Sequence, residues 1–399
     1  MSISCSASVI GLGYVGLPVA CAFAKSGVTV FGVDKNPSLI NTLTQKKYSY
    51  TEPELDATLD DVLGKTLFVS DSITDSDTYI VTVQTPVNPD HSSDNSFVEK
   101  ALTELAPHIK NGDLVILEST VPIGSNKNFY KLLRCLVPES VDFLYCYCPE
   151  SILPGNIFHE IATNSRVLGG KTPIAAQKAK EIYDFINTGR KELTDISTAE
   201  FVKLTQNAHR DVELAFVNQL SIMCDREGVD PFRVIEIANR HPRCNLLQPG
   251  SGVGGHCIAV DPYFLIERFG DDASLIKASR DANNYKPIYI AKKAIQMIGE
   301  DSSKIIGVLG LSYKANCEDC RESSGITLCK YLQHQGYRIL ANEVNSPLNM
   351  ISDIPNMDVN VVIQNSDIII IAQRHTAYGN LDFCGKAIID CVNLMGNID

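Results

Sequence analysis

Apolar residues follow two different rhythms along this chain. The short apolar run Ala7-Ser-Val-Ile10 leads into Gly11-Leu-Gly-Tyr-Val-Gly16, then into an Ala-rich apolar stretch over residues 17–25. A second short run, Val28-Thr-Val-Phe-Gly-Val33, ends at Asp34. This pattern predicts strand, turn, helix, strand. Further apolar strands are predicted at residues 78–83, 114–117 and 143–147. Strands that alternate with helices imply a parallel sheet covered on both faces. Over residues 198–226 the rhythm changes. Phe201, Leu204, Leu214, Phe216, Val217, Leu220 and Met223 recur at helical spacing, and Gly228 suits a helix stop. Two more helices are predicted at 231–239 and 274–298, with a glycine-rich stretch at 249–261 between them. The first rhythm returns after Lys304: a strand at 305–309, a helix at 325–336, and strands at 337–341, 368–372 and 386–390. The predicted fold is α/β. Two doubly wound domains, residues 1–192 and 301–399, are joined by a helical middle domain, residues 193–300, with a long central helix.

Composition narrows the class. Hydrophobic residues make up 44% and charged residues 21%, an ordinary globular balance. A net charge of -12 argues against a chain that coats nucleic acid or an anionic membrane. Residues 1–8 lack the basic and apolar regions of a secretion signal, and no apolar run is long enough to span a bilayer. The thirteen cysteines are scattered and odd in number, which fits reduced thiols in the cytoplasm. The pairs Cys146/Cys148 and Cys317/Cys320 have no second Cys/His pair at zinc spacing, so no metal is expected.

Candidate chemistry is concentrated in three places. In Gly11-x-Gly13-x-x-Gly16 the first glycine permits a tight turn, the second admits a pyrophosphate, and the third lets helix and strand pack closely. Asp34, at the end of the next strand, suits the ribose hydroxyls of NAD and repels the extra phosphate of NADP; Lys35 beside it reads as a solvated surface lysine. These features predict a Rossmann-like cofactor fold that binds NAD. The second place is Gly252-Val-Gly-Gly-His-Cys-Ile-Ala-Val-Asp261, whose glycines suit close approach to a ligand and whose Cys257 could be an activated nucleophile. A helix opening at Cys257 would lower its pKa and bring Asp261 one turn later on the same face. The third is Lys203 with Asn207, four residues apart on the long helix, a pair able to hold a developing oxyanion. A one-step hydroxyacid or sugar-alcohol dehydrogenase needs no such cysteine, and a nucleotide-binding regulator with a Rossmann module would bind NAD through the first place but needs neither of the other two.

Together these stretches resemble the nucleotide-sugar dehydrogenase family. Its motifs occur in order as Gly11–Gly16, Glu118-Ser-Thr-Val-Pro-Ile-Gly124, Cys148-Pro-Glu150 with Leu153-Pro-Gly155, Lys203 to Asp211, His241-Pro-Arg-x-Asn245 into residues 252–264, and Tyr313-Lys-Ala-Asn316 through Arg321-Glu-Ser323. The run Ala238-Asn-Arg-His-Pro-Arg243, with Gly255-His-Cys257, is similar to the branch that oxidises UDP-N-acetyl-D-mannosamine; UDP-N-acetylglucosamine and UDP-glucose are the alternatives. The resemblance implies a four-electron oxidation to the uronic acid in polysaccharide biosynthesis, through a thioester on Cys257. It implies that Lys203 and Asn207 stabilise the sugar's sixth oxygen, that Asp261 assists proton transfer, and that Thr120 and Glu150 handle the hydrolytic water. It places NAD on Gly11, Gly13, Tyr14, Val15, Gly16, Asp34, Thr85 and Thr120. It places the UDP-sugar on Glu150, Leu153, Lys203, Asn207, Arg210, His241, Gly254, Tyr313, Lys314 and Arg321, with Arg243 reaching the neighbouring subunit's substrate. A homodimer or larger even homo-oligomer built on the long helix is expected.

Overall fold

The protein is described by a computed structural model over residues 6–48, 52–88, 90–152 and 155–396. Its contacts divide into two compact units, residues 1–205 and 206–399.

The first unit is built on eight strands: β1 (Ser6–Ile10), β2 (Thr29–Val33), β3 (Leu67–Ser70), β4 (Thr78–Val81), β5 (Leu114–Leu117), β6 (Leu144–Tyr147), β7 (Arg166–Gly170) and β8 (Lys191–Asp195). Their order is β3-β2-β1-β4-β5-β6-β7-β8. All neighbours pair parallel except β6 with β7. Strands buried on both faces explain the unbroken apolar runs, such as Leu114-Val-Ile-Leu117. Two apolar clusters cover the faces, one around Val9, Phe23 and Leu168, the other around Tyr79, Val115 and Phe129. The order reverses between β1 and β4, so the carboxyl ends of these strands flank the crevice where doubly wound folds bind ligands.

A 31-residue helix, Ile196–Arg226, starts in the first unit and continues into the second. Gly228 follows it at φ +67°, a left-handed conformation that closes the helix as the sequence predicts.

In the second unit, helices Pro231–Ala238, Asp261–Phe269 and Ser274–Met297 precede a parallel sheet. That sheet contains β9 (Ile305–Leu309), β10 (Arg338–Asn342), β13 (Ile368–Ile371) and β14 (Ala387–Asp390), in the order β10-β9-β13-β14. A small antiparallel pair, β11 (Met350–Ile351) and β12 (Ile354–Pro355), lies between β10 and β13 in sequence. The buried Arg280 on Ser274–Met297 bridges Asp211 at 2.6 Å, and Asn283 donates to the same carboxylate at 2.8 Å, fastening that helix to the long one. Among the described residues no helix is long and apolar enough to cross a membrane.

Candidate active site

The turn after β1 has the form its three glycines predict. Gly11 has φ +97°, and its N–H donates to the Val33 carbonyl. A Cβ at Gly16 would lie 1.8 Å from the Gly11 carbonyl oxygen, so helix Gly16–Lys25 can pack here only without one. A Cβ at Gly13 would meet nothing within 4 Å, which leaves that backbone bare for a ligand. Asp34 accepts the Leu12 N–H on one oxygen and the Asn36 N–H on the other, both at 2.8 Å. Two contacts leave lone pairs on both oxygens for ribose hydroxyls. Lys35 is engaged by Glu104 at 2.9 Å and by the Asp71 carbonyl, which agrees with its reading as a surface lysine. Val15 precedes the helix as its cap residue, and the Tyr14 hydroxyl donates to Glu52 at 3.1 Å. These residues fit NAD: an open glycine turn at a helix N-terminus and an acid with spare acceptor capacity.

Glu52 was not singled out from sequence. Its carboxylate also accepts the Gly155 and Ile157 amides at 2.7 and 2.8 Å, tying the glycine turn to the loop after β6. An acid within a polar stretch carries no signal of this kind in the sequence. Leu153, expected at the substrate, lies outside the described residues.

Along the carboxyl edge of the sheet, Thr85 donates from its hydroxyl to the Thr120 carbonyl at 2.7 Å. Glu150 is mostly buried and bridges Arg166 at 2.9 Å; its other oxygen accepts the Ser151 N–H. Glu118, Tyr183 and Arg166 lie in the same cluster, and only Glu118 fell within a stretch the sequence had marked.

On the long helix Lys203 is 5% exposed and has no ion-pair partner among the described residues.

In the second unit the glycine-rich stretch is held at several points. The Gly250 N–H donates to Asn218 at 2.9 Å, the hydroxyls of Ser251 and Ser324 meet at 2.6 Å, and the Gly255 N–H donates to the Arg321 carbonyl at 3.0 Å. The missing side chains have a packing cause. A Cβ at Gly254 would lie 2.4 Å from the Glu322 carbonyl oxygen, and one at Gly255, where φ is +87°, would lie 2.8 Å from the Tyr313 ring. Glycine is therefore required at both positions for the fit to the 313–322 loop. Helix Asp261–Phe269 opens at Asp261, so Cys257 sits one turn ahead of it and does not open it. The Asp261 N–H donates to the Cys257 carbonyl at 2.8 Å and closes that turn, and the Asn207 amide donates to the Asp261 carboxylate. Asn207, Asp261 and Cys257 are thus joined, and Cys257 is partly accessible. Burial pushes the thiols of Cys21, Cys148 and Cys391 up to about 12.

Arg321 forks onto Asp319, with its closest contact at 2.6 Å, and lies in the same loop as Tyr313 and Lys314. Arg210 is exposed and approaches Glu213 at 3.6 Å. His241 and Arg243 are exposed in the loop after helix Pro231–Ala238, where the Arg243 N–H donates to the His241 ring.

The first unit's fold, its bare glycine turn and its acceptor acid define a dinucleotide-binding protein. Comparison with known proteins narrows that class. The UDP-glucose/GDP-mannose dehydrogenase family matches through its NAD binding domain at residues 5–187, its central domain at 197–285 and its UDP binding domain at 307–397. The chain belongs to this family, and it is an NAD-dependent nucleotide-sugar dehydrogenase. It is 38% identical to the UDP-N-acetyl-D-mannosamine dehydrogenase of Escherichia coli, over 82% of each chain. It is 36% identical to the NDP-N-acetyl-D-galactosaminuronic acid dehydrogenase of Ralstonia nicotianae, over 94% of this chain and 92% of that one. The structure of a UDP-D-ManNAc dehydrogenase from Pyrococcus horikoshii superposes with a TM-score of 0.91 at 33% identity, covering 98% of this chain and 96% of that one.

Proposed function

We propose that the chain oxidises the primary alcohol of UDP-N-acetyl-D-mannosamine to the carboxylate in two steps, through a thioester on Cys257. The observation that carries this reading is the joined set Asn207, Asp261 and Cys257, with the partly accessible thiol framed by glycines. NAD, when bound, accepts one hydride in each oxidation. Lys203 and Asn207 hold the sugar's oxygen as its proton leaves, which lowers the barrier by stabilising developing negative charge. The Cys257 sulfur then adds to the aldehyde carbon, and the carbonyl oxygen takes up a proton. Loss of the second hydride and that proton leaves the thioester. Asp261 assists these proton movements. Glu150 and Thr120 direct water onto the thioester; the C–S bond breaks, the thiol is restored and the carboxylate leaves. Covalent capture retains the reactive aldehyde between the two oxidations.

Residues 1–192 serve the cofactor, 193–300 the chemistry and subunit contact, and 301–399 the UDP, with Tyr313, Lys314 and Arg321 as contacts. A homodimer or larger even oligomer in the cytoplasm supplies the uronic acid to polysaccharide assembly. Exposed Phe201, Phe216 and Met223 on the long helix support the subunit contact. Both relatives above carry N-acetylated amino sugars in their names, and the His241-Pro-Arg243 run supports the mannosamine configuration. The test is stoichiometry. The protein is incubated with NAD and with each of UDP-N-acetyl-D-mannosamine, UDP-N-acetylglucosamine and UDP-glucose. Two NADH and three protons per carboxylate are expected, fastest with the first. One NADH with an aldehyde product, or higher kcat/KM on another sugar, refutes the corresponding part.

A further inference from the structure

Beneath Glu150 lies a buried cluster to which the roles above assign nothing. Arg166 opens β7, Glu118 follows β5, and Tyr183 ends helix Pro173–Tyr183. The one antiparallel pairing of the sheet explains the meeting. β7 pairs with β6 at Cys146↔Gly170 and Tyr147↔Gly169, and the same register continued brings Arg166 opposite Glu150. A parallel β7 would have put Arg166 at the far edge of the sheet.

The guanidinium is shared. Nη2 lies 2.9 Å from Glu150 Oε2, and Nη1 lies 3.6 Å from Glu118 Oε1. The group also stacks over the Tyr183 ring, 4.5 Å from its centroid, while the Tyr183 hydroxyl donates to Glu118 Oε1. Among the described residues Glu118 Oε2, Arg166 Nε and Glu150 Oε2 have no hydrogen-bond partner, so Arg166 meets Glu150 as a close ion pair without hydrogen-bond geometry. Burying ions is costly, and each orphaned polar atom costs about 1–3 kcal/mol more. Glu52 and Glu200, also buried, differ in kind: backbone amides take up their oxygens. An incompletely satisfied ion cluster is a poor way to fill a sheet edge, and Glu150 is its most accessible member.

We infer that Arg166 is a positioning residue for this enzyme: anchored by Glu118 and Tyr183, it holds the Glu150 carboxylate in one place and one orientation. The inference rests on the proposed role of Glu150 in handling the hydrolytic water. One Glu150 oxygen is held by the Arg166 ion pair and the other accepts the Ser151 amide, so the carboxylate is held at both of its oxygens.

The experiment compares Arg166→Lys, which keeps the charge but not the fork, with Tyr183→Phe, which keeps the ring but frees Glu118. Glu150→Gln is the reference. KM, kcat, the pre-steady-state NADH burst and the intact mass of the protein during turnover are measured. Because a displaced base loses roughly 10- to 100-fold in rate, Arg166→Lys should lower kcat by about that factor with KM nearly unchanged. A burst of two NADH per site should persist, and a sugar adduct should accumulate on Cys257. Tyr183→Phe should show the same adduct with a smaller loss. Adding Arg166→Lys to Glu150→Gln should cost nothing further, since the two act as one unit. A full additional loss in that background, or a raised KM with native kcat, overturns the inference. Should Arg166→Lys fail to fold, native kcat and no adduct in Tyr183→Phe overturn it alone. If Glu150→Gln releases carboxylate at the native rate, the reading of Glu150 falls instead. If Glu150→Gln is slow while Arg166→Lys is not, only the inference falls.

Discussion

Gly13→Ala and Gly16→Ala add the same methyl group three residues apart in one turn, and they should fail differently. At Gly16 the new carbon would start 1.8 Å from the Gly11 carbonyl oxygen and 2.4 Å from the Thr82 hydroxyl. A carbon needs about 3 Å or more from that oxygen, so helix and turn must part by roughly 1.2 Å. The Gly11 carbonyl also accepts the Thr82 hydroxyl, which stiffens it further. Overpacking against rigid backbone costs about 3 kcal/mol, and alanine's better helix propensity returns up to about 1. The net loss of about 2 kcal/mol should lower the melting temperature of a unit this size by about 4–8 °C. At Gly13 the methyl meets no protein atom, so melting without ligand should be unchanged. It would, however, lift the cofactor's pyrophosphate off the backbone. Losing one charge-assisted hydrogen bond costs about 1.5–3 kcal/mol, which is roughly a 10- to 150-fold weaker Kd for NAD. Calorimetric melting without NAD and NAD titration calorimetry read the two effects separately. A Gly13→Ala protein that melts early but binds NAD normally would refute the assignment of the two glycines, as would a Gly16→Ala protein with native melting.

Cys257→Ala should abolish carboxylate formation by several orders of magnitude while leaving NAD and UDP-sugar affinity within about twofold; binding calorimetry and product analysis check both. Two NADH per substrate at native speed from that variant would eliminate the thioester. Glu118 sets a stability trend: burial pushes its carboxyl from 4.5 up to about 7, against the pull of Arg166. Between those values the folded chain keeps a proton that the unfolded chain has released, so stability should fall as pH rises from about 4.5 to 7 and then level off. Glu118→Gln should flatten that slope in urea titrations, and an unchanged slope would contradict it. Light scattering should find an even oligomer. Mixing Arg243→Ala with Cys257→Ala subunits should restore some activity, whereas no recovery in verified mixed oligomers would place Arg243 in its own subunit's site.

Much of the architecture was legible because its signals are local. Residues 305–309 and 114–117 were predicted to the residue, and the long helix to within two residues at its start. The strands β3, β7 and β8 were not foreseen. β8 reads Lys-Glu-Leu-Thr-Asp, mostly exposed and without alternating apolar positions, and only its ladder with β7 makes it a strand. The same limit hid Arg166 and Tyr183. An arginine at a strand start looks like a surface residue until an antiparallel pairing, which local sequence does not encode, carries it inward. The glycines around Cys257 were visible as a cluster, but their cause was not. At Gly254 and Gly255 the space is taken by Glu322 and Tyr313, 68 and 58 residues further along the chain.

The two sheets also show why one fold can be used for two purposes. In each, an acid just beyond the second strand accepts amides from the turn after the first: Asp34 from Leu12, and Glu343 from Leu311 and Ser312. Glu343 is saturated. It also takes His375 at 3.2 Å and the amide and side chain of Asn345, and it is buried. Burial alone would raise its carboxyl, yet His375 and these amides hold it below the usual carboxylate range. A carboxylate with five contacts has no capacity left for a ribose. Asp34 has two contacts and stands beside a bare glycine at a helix N-terminus, so dinucleotide recognition belongs to the first sheet. In the second, the corresponding acid braces the turn from Gly310 to Ser312, ahead of the Tyr313 loop against which Gly254 and Gly255 pack.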